Sequence, residues 1–282
     1  MAKSFKEMTS SSKDTLMIID ALNLAFRYKH SKKRNFAEDY IRTVQSLAHS
    51  YKAGEVIIAA DGRGGSSYRK NLLPSYKGNR KEKYDKQTEA EAEDFKLFMQ
   101  DYQNTLEQLK ISYKVFQYDG VEADDIAAYI TKVSDKNIWL ISSDRDWSLL
   151  ISKKVSQFSY VTRKEFTYEN FEEHYNLPIE DYISFKCLVG DSGDNVPGVP
   201  GVGPKRAIGL IEQYGSVFDI IGNLPLDSKY KYIQSLNEFG EDNLLLNFEL
   251  MDLQEFSEEA IGKDNIKEIK EYVNWVWLCR EL

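Results

Sequence analysis

Short apolar runs that each end near an acidic residue recur through the first half of the chain, and they constrain its fold more than any other feature. Leu16–Ile19 precedes Asp20, Val56–Ala60 precedes Asp61, and Ile138–Ile141 stands shortly before Asp144. Runs of this length and composition predict β-strands. Helical patterns lie between them, which predicts an α/β fold with a mostly parallel central sheet flanked by helices. Because the carboxyl ends of such strands converge on one crevice, the acidic side chains are expected to meet there.

Nine acidic residues form five groups of this kind. They are Asp20; Asp61; Glu122, Asp124 and Asp125; Asp144 and Asp146; and Asp191 and Asp194. A single Asp after a strand is usually a cap or turn residue, but that explanation does not suit all five groups at once. Carboxylates brought together repel one another and need cations. Mg²⁺ prefers oxygen ligands, and these spacings suit two ions that promote an in-line phosphoryl displacement.

The length and composition set broad limits. A chain of 282 residues can form one large domain, or a main domain with a smaller companion. No apolar run reaches the ~20 residues of a membrane span, and the polar residues 1–15 resemble a flexible tail rather than a secretory signal. Two cysteines argue against a disulfide scaffold, and no Cys/His pair has zinc spacing. We therefore expect a cytoplasmic protein.

The net charge of −8 hides two basic stretches. Residues 27–34 carry five basic residues and no acid, and residues 63–86 carry eight basic residues against two acids. Each stretch alone could be a solvated loop. Beside a carboxylate cluster that binds metal, they instead favour a polyanionic partner such as nucleic acid.

Amphipathic patterns predict helices over residues 38–52, over 88–110 and from Glu122 onward. After Leu177-Pro178 the strand-like runs disappear, which places a domain boundary near residue 180. The C-terminal stretch from Ile266 to Trp277 predicts an amphipathic helix rich in aromatic residues. Packing in the core is its simpler role, and binding a partner is the alternative.

A glycine-rich segment, Gly198–Gly203, comes directly before Pro204, Lys205 and Arg206. Proline suits the first position of a helix, and the free N–H groups of a helix start can hold phosphate. Together with the two basic side chains, this predicts a helix–hairpin–helix that grips a DNA backbone without reading bases. A plain connection between two helices is the alternative.

Taken together, the motifs resemble the 5′-nuclease superfamily, which comprises flap endonucleases and the 5′→3′ exonuclease domain of bacterial DNA polymerase I. The T-odd bacteriophage 5′-exonucleases are the most similar subgroup. The resemblance rests on Met17–Asn23, Tyr76–Arg80, Gly120–Asp125, Ile141–Asp146 and, above all, Gly190–Gly203. It covers nearly the whole chain.

The resemblance implies a PIN-like nuclease over residues 16–180 with a helical arch at about 77–107. A helical DNA-binding region would span 181–282, with the helix–hairpin–helix at about 182–215. Asp20, Asp61, Glu122, Asp124 and Asp125 would serve a first metal, Asp191 and Asp194 a second, and Asp144 and Asp146 would lie between the two. Both metals would be Mg²⁺, for which Mn²⁺ could substitute, and a K⁺ ion would bind the hairpin.

The resemblance also implies DNA contacts and a substrate. Lys77 and Arg80 would neutralise the scissile phosphate. The implied DNA contacts are Arg27, Tyr76, Lys77, Arg80, Lys81, Lys83, Gly201, Gly203, Lys205 and Arg206. The substrate would be branched or 5′-flapped DNA with a single-stranded 5′ end, cleaved by a monomer in replication or repair. RNA–DNA hybrid would be a side substrate.

Two positions depart from the family pattern. Arg145 stands where a small residue is more usual, and it could contact phosphate or point to solvent. Gly193 replaces a common Ser. Two other functions remain open on the residues alone: a non-catalytic junction-binding protein, which would have little reason to keep Asp191 and Asp194, and a PIN-like ribonuclease, which would usually be shorter and lack the hairpin.

Overall fold

The computed structural model describes residues 12–278, apart from the side chains of residues 12, 13, 81–83 and 275–278. Its centre is a six-stranded sheet with the order β3-β2-β1-β4-β5-β6. The strands are β1 (Ser12–Asp20), β2 (Ala53–Ala60), β3 (Lys114–Gln117), β4 (Asn137–Ile141), β5 (Val155–Ser159) and β6 (Lys164–Phe166). Strands β1 to β5 are parallel and β6 is antiparallel to β5. Since β1 begins at Ser12, the predicted tail of 15 residues is too long; residues 1–11 lie outside the described part.

Alternate residues of the central strands enter two separate cores because successive side chains of a strand point to opposite faces. Leu16 and Ile18 face one core, which is covered by helices Ala123–Val133, Leu253–Ile261 and Lys263–Leu278. Met17 and Ile19 face the other, which is covered by helices Ala21–His30, Ala37–Ser50 and Glu89–Leu109. The helices before residue 180 are α1 (Ala21–His30), α2 (Ala37–Ser50), α3 (Ser67–Leu72), α4 (Gly78–Asp85), α5 (Glu89–Leu109), α6 (Ala123–Val133) and α7 (Phe171–Tyr175).

The strand order reverses between β1 and its neighbour β4. From β1 the sheet continues through β2 and β3 to one edge, and from β4 it continues through β5 and β6 to the other. Crevices at such reversal points, outside the carboxyl ends of the strands, are where open α/β sheets bind ligands. The register pairs Ile19 with Ile141, so that Asp20 and the segment leading to Asp144 leave the sheet side by side.

Helices α4 and α5 occupy the place of the predicted arch. Helix α5 begins with a capping box between Thr88 and Glu91, which satisfies N–H groups at the helix start. Its first two turns are largely exposed, whereas Phe98, Tyr102 and Leu106 are buried against the sheet. The trailing half of α5 is thus anchored in the core, and its leading half projects beyond it.

The segment after residue 180 is helical, as the sequence indicates, apart from a two-stranded hairpin. Helix α8 (Tyr182–Val189), strands β7 (Gly190–Asp191) and β8 (Val196–Pro197), and helix α9 (Pro204–Tyr214) form a helix–hairpin–helix. Helices α10 (Val217–Gly222), α11 (Lys231–Met251), α12 (Leu253–Ile261) and α13 (Lys263–Leu278) follow. Helices α8 to α11 share a third core that includes Leu188, Leu210 and Leu236.

Helix α13 packs partly in the core, because Ile269 and Val273 are buried beside the sheet. The side chain of Trp277, at the end of the same predicted amphipathic stretch, lies outside the described residues. Among the helices that the structure describes, none combines the length and apolar character needed to cross a membrane.

Candidate active site

Three carboxylates stand at the carboxyl ends of neighbouring strands. Asp20 ends β1, Asp61 follows β2, and Asp144 follows β4. Asp20 is 6% exposed and accepts hydrogen bonds from the Asn23 N–H at 3.1 Å and the Ser142 hydroxyl at 2.7 Å. These bonds hold Asp20 at the crevice beside β4.

The start of α6 brings further carboxylates to the same place. Asp61 accepts a hydrogen bond from the Ala123 N–H at 3.0 Å, which ties the end of β2 to this helix. Asp124 accepts one from the indole nitrogen of Trp147 at 2.5 Å. Trp147 is fully buried, so its ring fixes the direction of the Asp124 side chain.

Asp125 differs from its neighbours. Arg69 donates from its two terminal nitrogens to the two oxygens of Asp125, at 3.0 and 2.8 Å. Asp125 is 0% exposed and Arg69 is 1% exposed. Arg69 also donates to Glu122 at 3.0 Å and to the Leu250 carbonyl at 2.8 Å. The Asp125 carboxylate therefore neutralises a buried arginine below the crevice, and its predicted role as a metal ligand stays a prediction.

A buried lysine joins Asp146, predicted to lie between the two metals, to Asp191, predicted for the second metal. The Lys186 ammonium contacts Asp146 and lies 3.3 Å from Asp191. Burial by itself favours the neutral amine, but Asp146 and Asp191 outweigh it and raise the pKa of Lys186 above its usual value. Asp191 also accepts the Gly193 N–H at 2.8 Å, so the hairpin turn closes on its carboxylate.

The base of the arch is bound directly to the carboxylates. Lys77 has a left-handed backbone (φ +56°), and its N–H donates to the Asp194 carbonyl at 2.8 Å. Its ammonium contacts Glu122 and lies 3.4 Å from Asp194. Arg80 donates to Asp194 at 2.8 Å with its side chain half exposed. Burial opposes the ionised form of Asp194, but Lys77 and Arg80 lower its pKa overall.

Tyr76 also contacts this group of side chains. It is 5% exposed, packs in the core of helices α8 to α11, and donates its hydroxyl to Asp194 at 2.8 Å. Its ring therefore has little exposed surface in this structure. In this structure Tyr76 therefore orients Asp194, and its predicted contact with DNA stays a prediction.

The remaining crevice carboxylates are poorly compensated. Burial, followed by the charge of Asp61, raises the pKa of Asp20 to about 8. The enclosing crevice and the charge of Asp146 raise the pKa of Asp144 to about 6, although part of its surface faces solvent. Burial and Asp144 raise the pKa of Asp124 well above its usual value. Such a set of oxygen donors with excess negative charge suits hard divalent cations.

Within the described part of the chain, no three acidic, histidine or cysteine side chains are arranged to hold a metal ion as they stand. The ammonium groups of Lys77 and Lys186 lie among these carboxylates and partly neutralise them. The chemistry of the donor set fits divalent ions, but small side-chain movements must accompany their binding.

The predicted helix–hairpin–helix contacts lie together at the start of α9. Gly201 has φ +77°, a conformation that favours glycine, and Gly203 stands at the position before the helix. Lys205 and Arg206 are exposed. Arg206 donates to the Gly201 carbonyl at 2.6 Å and lies over the ring of Tyr232, 4.7 Å from its centre. The K⁺ ion at this hairpin stays a prediction.

Arg27 lies apart from the hairpin, at the edge of a cavity of about 570 Å³ between α1, α2 and β5. Its guanidinium stands over the Tyr160 ring at 4.6 Å, and Arg163 covers the same ring at 4.3 Å. The side chains of Lys81 and Lys83, also predicted DNA contacts, lie outside the described residues.

Sequence reasoning missed Arg69, Trp147 and Lys186. Lys186 had a detectable signal, because it is the one charged residue in the mostly apolar helix Tyr182–Val189, five positions before Asp191. Arg69 and Trp147 had none, since their partners are distant in sequence or are reached only through the fold.

Two family models match this chain in succession. Residues 15–176 match the N-terminal resolvase-like domain of 5′-3′ exonucleases, and residues 177–271 match their C-terminal SAM fold. The chain belongs to the 5′-3′ exonuclease family. It is 44% identical over 262 residues to the flap endonuclease of Escherichia phage T5, covering 91% of this chain and 89% of that protein. It is also 30% identical to DNA polymerase I of Bacillus subtilis, covering 83% of this chain but only 27% of that enzyme.

Solved structures agree with this membership. The T5 D15 protein co-crystallised with metal ions has a TM-score of 0.86 at 42% identity, covering 93% of this chain and 99% of that one. A T5 D15 flap endonuclease pseudo-enzyme-product complex with DNA and metal ions has a TM-score of 0.88 at 42% identity, covering 93% and 98%. The catalytic core of Rad2, at 14% identity and a TM-score of 0.53, shares the fold. The predicted family, fold class and nuclease function are confirmed.

Proposed function

We propose that this chain is a structure-specific 5′ nuclease that hydrolyses phosphodiester bonds of 5′-flapped or branched DNA near the boundary between single strand and duplex, and trims 5′ ends. The observation that carries the proposal is that Lys77 and Arg80, at the base of the arch, contact carboxylates of both predicted metal groups. Phosphate bound by these cations would therefore lie directly over the carboxylate crevice.

The candidate ligands for divalent ions are the crevice carboxylates without Asp125: Asp20, Asp61, Glu122, Asp124, Asp144, Asp146, Asp191 and Asp194. When bound, two Mg²⁺ ions would supply a nucleophilic hydroxide and stabilise the leaving oxygen. Mn²⁺ shares the preference for oxygen ligands and is expected to substitute.

The chain's own cations position the DNA. Lys77 and Arg80 would exchange part of their contact with Glu122 and Asp194 for phosphate oxygens, which places the scissile bond at the crevice. Lys77 is held in a left-handed backbone conformation, and this fixes the direction in which its side chain leaves the backbone. Neutralising the phosphate lowers the electrostatic cost of bringing it near the carboxylates.

The rest of the substrate would be held by its backbone. The exposed Lys205 and Arg206 are suited to duplex phosphates beyond the hairpin, and the exposed Arg27 to phosphates on the side of α1. A single-stranded 5′ end would pass along the exposed, projecting half of the arch. Recognition would follow backbone shape rather than base sequence, and RNA–DNA hybrid remains a candidate side substrate.

The test uses a 5′-labelled flap substrate, with Mg²⁺ or with chelator, and maps the product lengths. We expect products cut near the junction that disappear with chelator. Asp144→Asn distinguishes a nuclease from a junction-binding protein, with the exposed Asp242→Asn on α11 as control. If the chain is the proposed nuclease, Asp144→Asn abolishes cleavage and Asp242→Asn does not. Metal-independent cleavage, or tight binding without cleavage by the unmodified chain, would overturn the proposal.

A further inference from the structure

A second cavity opens beside Asp144, on the side of β5 and β6. It has a volume of about 380 Å³, and we call it the Arg145 cavity after the residue at its rim. Lys164, Phe166, His174, Tyr175 and Tyr182 contribute to its walls. The arch is inserted between β2 and β3, toward the other end of the sheet, so this cavity is not part of the arch.

Two cations of this cavity are not used by the fold. Arg145 and Lys164 are both exposed, and neither forms a salt bridge with any residue that the structure describes. By contrast, Lys77 and Lys186 are each engaged by two carboxylates. Arg145 lies close enough to Tyr175 and Tyr182 for its charge to affect both phenols. It therefore faces the cavity and is free to take an anion.

One wall of the cavity is aromatic. The ring of Phe166 contacts His174 edge-on at 4.8 Å and lies 5.9 Å from Tyr175. Tyr175 in turn lies 4.8 Å from Tyr182. Phe166, His174 and Tyr175 are only partly buried, so ring surface remains open to a planar ligand. Aromatic side chains of this kind stack on nucleobases with little regard to sequence.

The floor of the cavity is rigid and is tied to the candidate metal residue. Gln157 donates to the Asp144 carbonyl at 2.7 Å and to the Ser142 carbonyl at 2.9 Å. The Ser148 hydroxyl lies 2.7 Å from both Gln157 and the Tyr175 hydroxyl. A ligand in the cavity would therefore have a fixed position relative to the carboxylate of Asp144.

We propose that the Arg145 cavity binds one unpaired nucleotide next to the scissile bond, with its base against Phe166 and Tyr175 and a phosphate at Arg145 and Lys164. The inference rests on the proposed nuclease function. A volume of about 380 Å³ is at the small end of ligand pockets, which suits one nucleotide and excludes a duplex. Guanidinium and ammonium groups beside aromatic rings are the usual complement of a nucleotide's phosphate and base.

The nucleotide could belong to the substrate strand or be a released 5′-mononucleotide, and two measurements separate these sources. In the first, each nucleotide near the junction of a flap substrate is replaced in turn by an abasic unit, and kcat/KM is measured. In the second, deoxyadenosine 5′-monophosphate is titrated as a competitor and its direct binding is followed by NMR. The variants are Phe166→Leu and Arg145→Ala/Lys164→Ala, with the exposed Lys154→Ala at the opposite end of β5 as control.

If the nucleotide belongs to the substrate strand, an abasic unit at one position should lower kcat/KM of the unmodified chain about 10-fold, in line with the loss of one stacked base. In Phe166→Leu, which already lacks the ring, the same abasic unit should have little further effect. A released product predicts competition by the monophosphate that is lost in the double variant but not in Lys154→Ala. The inference is wrong if the variants change neither the effect of any abasic position nor the competition by the monophosphate. A chain that cleaves no flap substrate would instead overturn the proposed function, while NMR would still report on the cavity.

Discussion

Arg69 and Asp125 form a buried bidentate ion pair that joins α3, just before the arch, to α6, the helix that carries Asp124 into the crevice. Since the guanidinium also reaches Glu122 and the Leu250 carbonyl, one side chain connects the sheet domain with the C-terminal helices. Breaking a buried pair from one side leaves an uncompensated charge in the core.

Arg69→Met is therefore expected to reduce the free energy of unfolding by about 3–5 kcal/mol. Denaturant unfolding followed by circular dichroism would measure it. The exposed pair Arg63–Asp119 offers a control, since Arg63→Met should change stability very little. Adding Asp125→Leu to Arg69→Met should restore part of the lost free energy of unfolding. If the double variant loses as much stability as the two single variants added together, Arg69 and Asp125 do not stabilise the fold as a direct pair.

Lys186→Met should increase the stabilisation that divalent ions give. The Lys186 ammonium and a metal ion would compete for the same oxygens of Asp146 and Asp191. We expect Mg²⁺ to raise Tm more in the variant than in the unmodified chain, and chelator to remove the difference. Thermal unfolding over a Mg²⁺ titration measures both, with the exposed Lys154→Met as control. An equal rise in all three proteins would place the ion elsewhere.

Asp144→Asn should abolish flap cleavage while leaving flap binding largely intact, because it removes a candidate metal ligand without changing the shape of the crevice. Loss of a partner that only orients a ligand already costs about 10–100-fold, so we expect kcat to fall by at least about 100-fold. Single-turnover cleavage and fluorescence anisotropy measure the two effects. Normal turnover would exclude Asp144 as a ligand.

Lys77→Ala should lower kcat more than it weakens DNA affinity, because Lys77 meets the carboxylates where the reacting phosphate is proposed to lie. Removing one charge-stabilising group typically costs about 10²–10³ in kcat. The control is Lys70→Ala, since Lys70 is exposed and binds the Gly64 carbonyl instead. Equal losses of turnover and affinity would make Lys77 a simple backbone contact.

Replacing Lys205 and Arg206 together with Ala should weaken duplex binding and reduce its salt dependence. Each lost phosphate contact lowers the slope of log K against log salt by about 0.9, so the double variant should lose about 2. Anisotropy titrations at several salt concentrations measure the slope. As a control, Lys263→Ala and Lys270→Ala together remove the same charge from α13. If this control changes the salt slope by the same amount, the hairpin does not contact the duplex as proposed.

The sequence by itself determined several central elements and the family. Short continuous apolar runs placed β1, β2 and β4, helical patterns placed α2, α5 and α6, and the acidic residues after these runs marked the crevice. These features depend on local periodicity and on the general rule that parallel strands end along one edge, so no long-range contact had to be known.

Only the tertiary structure decided what each charged side chain at that edge does. Asp125 and Asp124 are adjacent in sequence, yet one neutralises the buried Arg69 and the other faces the crevice. Tyr76 is turned into the core, and Lys186 enters from a helix 40 residues beyond Asp146. The physical reason is that burial and charge pairing depend on neighbours separated by 40 to 181 residues, which only the packing of the two halves brings together.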